Sequence, residues 1–155
     1  MANWFECKVR YDKTMENGAI KKVTDPYLVD ALSFTEAESR ITDEVSHMSS
    51  DFSVTAVKRT KISEIFWANW GVGDDKWYLV KVAFITLDEK TAVEKRSVSQ
   101  ILVAASDFKT ALDNFLEGMK GTMADYDIVS ISETQLMDVF GADLSGDSDK
   151  TTANA

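Results

Sequence analysis

A chain of 155 residues with 45% hydrophobic and 28% charged residues is ordinary globular composition, long enough for one domain with a real core. Its formal charge of −9 argues against a protein that coats itself in phosphate backbone, although a local basic stripe is still allowed. The single cysteine, Cys7, excludes an intramolecular disulfide and a thiolate zinc site of the finger type, and reads as a small apolar residue inside a strand.

The opening residues carry no basic segment followed by an apolar one, and no run reaches the roughly 18 apolar residues of a membrane span. The expectation is a soluble, cytoplasmic protein. Trp4 to Tyr11 alternates, with Phe5, Cys7, Val9 and Tyr11 on one side and Trp4, Glu6, Lys8 and Arg10 on the other, as in a strand with one buried face. Asn17-Gly18 is a turn signal, and Lys22 to Leu32 reads as the returning strand. Pro26 suggests an edge or bulge position near the start of that strand.

Ser33 stands three residues before Glu36, a capping box, and Phe34, Ala37, Ile41, Val45 and Met48 follow at helical spacing. Phe52 to Phe66 reads as a third strand whose alternation slips near Lys58 to Lys61, either through a bulge or because the stretch ends in a helical turn at Ile62, Ile65 and Phe66. After the Gly71 and Gly73 linker the plan recurs: Trp77 to Leu87, Lys95 to Ala105, a helix capped by Ser106 or Asp107 that ends near Gly121, and Tyr126 to Phe140. Residues 141–155 are small, polar and acidic and read as a disordered tail.

The recurrence is a repeat. Phe34 through Phe66 lies on Phe108 through Phe140 at a constant offset of 74, and Trp4, Lys8 and Val9 meet Trp77, Lys81 and Val82 at an offset of 73. The expected fold is α+β: a duplicated ββαβ unit, about six mostly antiparallel strands with two helices on one face, related by a pseudo-two-fold. Residues 1–140 would form a single domain of two repeats, 4–66 and 77–140, sharing one core, with Phe34 and Phe108 in equivalent buried places. The second helix has the wider apolar stripe, Leu112, Phe115, Leu116 and Met119, which implies deeper burial or a homodimer contact.

No catalytic motif is present, so the chain reads as a non-enzyme with no catalytic residues and no cofactor. His47 has no second histidine or cysteine partner for a ligand cluster and reads as a helix-terminal residue. The Asp74-Asp75 and Asp88-Glu89 pairs read as solvated loop acids rather than a metal site.

The remaining constellation is Trp4, Lys8 and Arg10 on the non-core side of the first strand, with Trp77 and Lys81 at the equivalent places of the second unit. A ring with a cation four residues along is the elementary unit of a stacking platform for single strands, the ring taking a base and the cation a phosphate. Lys58, Arg59 and Lys61 add a basic cluster. The same pattern also arises when a lysine stem simply covers an indole.

The segments Asn3 to Tyr11, Tyr27 to Glu38 and Gly118 to Tyr126 resemble a family of small proteins of unknown function from gut Bacteroidota and their crAss-like phages. The resemblance implies a cytoplasmic or phage-encoded protein and carries no residue roles. The first expectation for function is single-stranded nucleic-acid binding in DNA metabolism. The alternative is a protein-interaction or inhibitor module that docks its acidic surface on a host or partner protein. A small-ligand sponge is a third.

Overall fold

The structure, a computed structural model, describes residues 3–48 and 51–141. In chain order it contains β1 (Trp4–Thr14), β2 (Ile20–Asp30), α1 (Phe34–Ser46), β3 (Phe52–Arg59), β4 (Ile62–Phe66), β5 (Lys76–Leu87), β6 (Glu94–Ala105), α2 (Phe108–Gly118), β7 (Asp125–Glu133) and β8 (Val139–Phe140). The class is α+β, with these eight strands in two mixed four-stranded sheets and two helices. Contacts divide the chain into one unit of residues 1–60 and 136–155 and another of residues 61–135.

In the first unit the strand order is β3-β1-β2-β8. β1 and β2 form a long hairpin in register from Trp4 opposite Asp30 to Thr14 opposite Ile20, closed by a loop in which Gly18 takes a left-handed φ of 84°. The core lies between this sheet and α1. Phe5, Cys7 and Val9 from β1 and Tyr27 and Val29 from β2 meet Ala37, Ile41 and Val45, the apolar side of a helix that is otherwise charged. Ser33 starts that helix as its sequence requires, its hydroxyl accepting from the Glu36 amide at 3.1 Å while the Glu36 carboxylate accepts from the Leu32 amide. His47 is the C-cap.

In the second unit the order is β4-β6-β5-β7. β5 and β6 pair from Lys76 opposite Ala105 to Leu87 opposite Glu94. Their loop is one residue longer than the β1–β2 loop. Val80, Val82, Ile101 and Val103 pack on Phe115 and Met119 of α2, and Tyr78 and Ala105 on Ala111. Asp107 caps α2, its carboxylate accepting from the Thr110 amide at 2.8 Å. Gly121, at φ 86°, turns the chain beyond that helix.

Three expectations are corrected. The described residues form eight strands, not about six, in two sheets with one helix packed in each unit, because Phe52 to Phe66 and Tyr126 to Phe140 are not single strands. Thr60 closes the first stretch by donating its amide to the Trp4 carbonyl at 2.9 Å, and the chain then enters another sheet, where Ile65 and Phe66 run parallel to Leu102 and Val103. Thr134 does the same on Trp77, and Val139 and Phe140 then run parallel to Leu28 and Val29. The alternation slip is therefore a strand end; the bulge lies earlier, where β3 skips a residue opposite Lys8 and Val9, and β7 skips one opposite Lys81 and Val82.

Phe34 and Phe108 are not buried: they are 50% and 57% exposed. Each is the first residue of its helix, one turn before the buried Ala37 or Ala111; Phe34 still meets the Phe5 ring edge-on at 5.1 Å, so only part of its surface is covered. Pro26 is mid-strand rather than near the start of β2. Its carbonyl accepts from the Met137 amide, so its proton-less nitrogen faces the same flank, away from β1, and no ladder bond is lost there.

Candidate functional site

β1 keeps the two faces read from its alternation, since Phe5, Cys7 and Val9 face α1 and Trp4, Glu6, Lys8 and Arg10 take the other side. Lys8 and Arg10 are exposed, and Lys58, opposite Glu6 in the ladder, is exposed on that same side. Arg59 is not part of this group. It stands opposite Phe5, on the helix side, with its guanidinium 5.3 Å from the Phe5 ring centre and 5.8 Å from that of Phe34, a double cation–π contact. Lys61 is exposed in the connection between β3 and β4, and Lys81 is exposed on β5.

The rings of the expected stacking platform are not accessible. Trp4 is 8% exposed and Trp77 is fully buried. Both instead anchor strand ends through their carbonyls, Trp4 accepting from the Thr60 amide and hydroxyl and Trp77 from those of Thr134. The reason is that the second face of each sheet is apolar and closed where these rings lie: Leu28 and Val139 near Trp4 in the ladder, Leu102 and Ala104 near Trp77, are all buried. The signal was present in Tyr27-Leu28-Val29 and in the unbroken Ile101 to Ala105, runs that mark strands buried on both faces.

Over Trp77 lies the loop in which sequence reading named Gly71, Gly73 and the Asp74-Asp75 pair but gave Trp67 and Trp70 no role. The reading of Asp74 as a solvated acid is corrected, because that side chain is folded inward onto the loop. Trp67 meets the Trp77 ring edge-on at 5.5 Å, and Trp70 lies over it at 4.6 Å, tilted by 37°. The loop is pinned by Asp74, which is 5% exposed and whose Oδ2 accepts from the Asn69 amide at 2.9 Å and the Asn114 side chain at 3.2 Å. Gly71 and Gly73 adopt φ of 87° and 110°, conformations that favour glycine. A cleft of about 370 Å³ opens among Trp70, Gly71, Gly73, Asp74 and Asp75. In the first unit a second cleft of about 330 Å³ involves Arg10, Lys22 and Phe52. Beside it the Tyr11 hydroxyl donates to Asp25 at 2.7 Å, and that bond pushes the phenol up to about 12.

Burial, reinforced by Glu6 and Glu38, pushes the Cys7 thiol up to about 11, far from the range of a nucleophile at neutral pH. Asp88 spends its Oδ1 on the amides of Lys90 and Thr91 in a turn. Among the described residues no cluster of three His, Cys, Asp or Glu side chains is disposed to hold a metal ion. No helix among them is long and apolar enough to cross a membrane.

On α2 the wider apolar stripe divides. Phe115 and Met119 are buried, but Phe108 and Leu116 are 57% and 44% exposed, with half-buried Leu112 between them at four-residue steps. The model of a domain of unknown function, DUF4494, matches residues 3–142. The chain belongs to that family. The family's description assigns no residue a role, so the two clefts, the basic strand residues and the α2 stripe are what this member itself offers. No match is found among curated proteins. The acidic tail read from the sequence, apart from Gly141, lies outside the described residues.

Proposed function

We propose that this chain is a non-enzymatic binding protein that docks on a partner protein, with the exposed stripe Phe108, Leu112 and Leu116 at the contact. That stripe is the observation that carries the reading. Phe, Leu and Leu at i, i+4 and i+8 form one line along a helix, and exposed apolar side chains that line up mark protein contacts. Asp113 and Glu117 border the line, each paired with a lysine, Lys109 at 3.0 Å and Lys120 at 2.9 Å, so charges of both signs flank the apolar contact. A second copy of the chain is the homodimeric form of the same reading.

The chain is further read as two copies of one ββαβ sequence. The constant offset, the shared strand order, the paired bulges and the Thr60–Trp4 and Thr134–Trp77 bonds support this. Single-stranded nucleic acid is the second reading. The exposed cations Lys8, Arg10, Lys58 and Lys81 favour it, while burial of Trp4 and Trp77 withdraws the two rings on which a stacking platform was expected.

Capture from native lysate with the nuclease-treated wild-type chain and with a Phe108→Ser/Leu116→Ser variant separates the two. Partner-protein docking predicts nuclease-resistant capture that the variant loses. Nuclease-sensitive capture, together with salt-dependent binding of a labelled oligonucleotide that Lys8→Ala and Lys81→Ala weaken, overturns it.

A further inference from the structure

The cleft beside the tryptophan stack has an unusual charge condition. Asp74 is 95% removed from solvent, yet among the described residues neither it nor the neighbouring Asp75 has an ion pair. Both hydrogen bonds that Asp74 receives through its side chain go to Oδ2, which leaves Oδ1 without a protein donor although Asp74 lines the cleft. Oδ1 stays open to solvent with no counter-charge beside it, and a cation entering the cleft would supply one. Asp75, exposed at the same cleft, adds a second negative charge.

An indole lines the same cleft. Trp70 is held in place by its contact with the fully buried Trp77, which Trp67 braces edge-on, so the ring is positioned before any ligand arrives. Gly71 and Gly73 complete the rim, and a Cβ at either would have nothing within 4 Å, so the space beside the ring is open. An aromatic face next to carboxylate oxygens suits a guanidinium better than an ammonium, because the planar head stacks on the ring while its N–H fork reaches the carboxylates.

We propose that the cleft of Trp70, Gly71, Gly73, Asp74 and Asp75 binds a guanidinium group, the side chain of an arginine on the docking partner. The source of the arginine rests on the partner-protein reading above; the cleft's preference for a guanidinium does not. The test is therefore a titration of the full chain, followed by amide and indole NMR, with N-acetyl-arginine methylamide and with N-acetyl-citrulline methylamide, the neutral analogue of the same shape.

The expected result is saturable shifts at the Trp70 indole and the Gly71 and Gly73 amides with the arginine compound, with a Kd on the order of millimolar. The citrulline compound and the Trp70→Leu variant should each bind at least about fivefold more weakly, which corresponds to about 1 kcal/mol. Asp75→Asn, at an exposed position that should not disturb folding, should weaken binding in the same sense. No saturable shift with the wild-type chain, or equal binding of the arginine and citrulline compounds, overturns the proposal. Loss of lysate capture by the α2 variant with the titration intact would keep both readings; a failed titration with capture intact would remove the cleft alone.

Discussion

Gly118 closes α2 under the ring of Phe66, and replacing it with alanine sets two known effects against each other. A Cβ at 118 would stand 2.5 Å from Phe66 Cδ2, 2.6 Å from Cε2 and 2.9 Å from Cγ. Carbon atoms rest about 3.5–4.0 Å apart, so the ring would have to retreat by about 1 Å. It is poorly placed to do so, because Phe66 is held in the β4–β6 ladder opposite Val103 and its ring centre lies 6.1 Å from that of Phe115. Overpacking of this kind costs about 1–3 kcal/mol, whereas removing a glycine from a helix contributes about 1 kcal/mol of stability. Gly118→Ala should therefore lose about 1 kcal/mol net, or about 2–4 °C in Tm for a chain of this size. In a Phe66→Ala background all three clashing ring atoms are gone and the same substitution should stabilise. Urea denaturation of the wild type, both single variants and the double variant closes the cycle. A Gly118→Ala protein more stable than the wild type, or a cycle additive within about 0.5 kcal/mol, would refute the reasoning.

Two further outcomes follow from groups inside the first unit. Cys7, buried and pushed up to about 11, should resist a thiol-specific disulfide reagent at pH 8 in the folded protein and react at once in denaturant; fast reaction of the native chain would show that β1 opens readily. Tyr11 is raised to about 12 by its bond to Asp25, against about 10 when unfolded, so that bond's stabilisation is complete below about pH 10 and lost as pH rises through 12. Tyr11→Phe should lower the urea midpoint at pH 7 by the equivalent of about 1 kcal/mol, with the difference from wild type shrinking above pH 10. A pH-independent difference would mean that the hydroxyl contributes through something other than this bond.

The family match bears on the chain as a whole, and the exposed features distinguish what this member presents. The basic strand residues and the acidic surface of α1 lie on the same unit, so its charge is segregated by face rather than spread evenly. That arrangement lets an overall charge of −9 coexist with local cations such as Lys8, Arg10 and Lys58.

By itself the sequence determined what depends on neighbours along the chain. Ser33 and Glu36 placed the start of α1, Ser106 or Asp107 that of α2, and the alternation from Trp4 to Tyr11 assigned the two faces of β1. Backbone preferences and side-chain periodicity are local quantities, and they survive in any fold that keeps the segment extended or helical. The tertiary structure alone decided partners and cover. Nothing in Ile62 to Phe66 or Val139-Phe140 tells a short extended segment which sheet to join, because a ladder is made by backbone groups that are alike in every residue. Alternation likewise put Trp4 and Trp77 on the second face of their strands without saying whether that face meets water. Phe34 and Phe108 fell on the apolar stripe of their helices, yet at the first residue of each helix half or more of the side chain stays open. Burial is a property of what is packed opposite a side chain, and for these four aromatics that was set by residues distant in the chain.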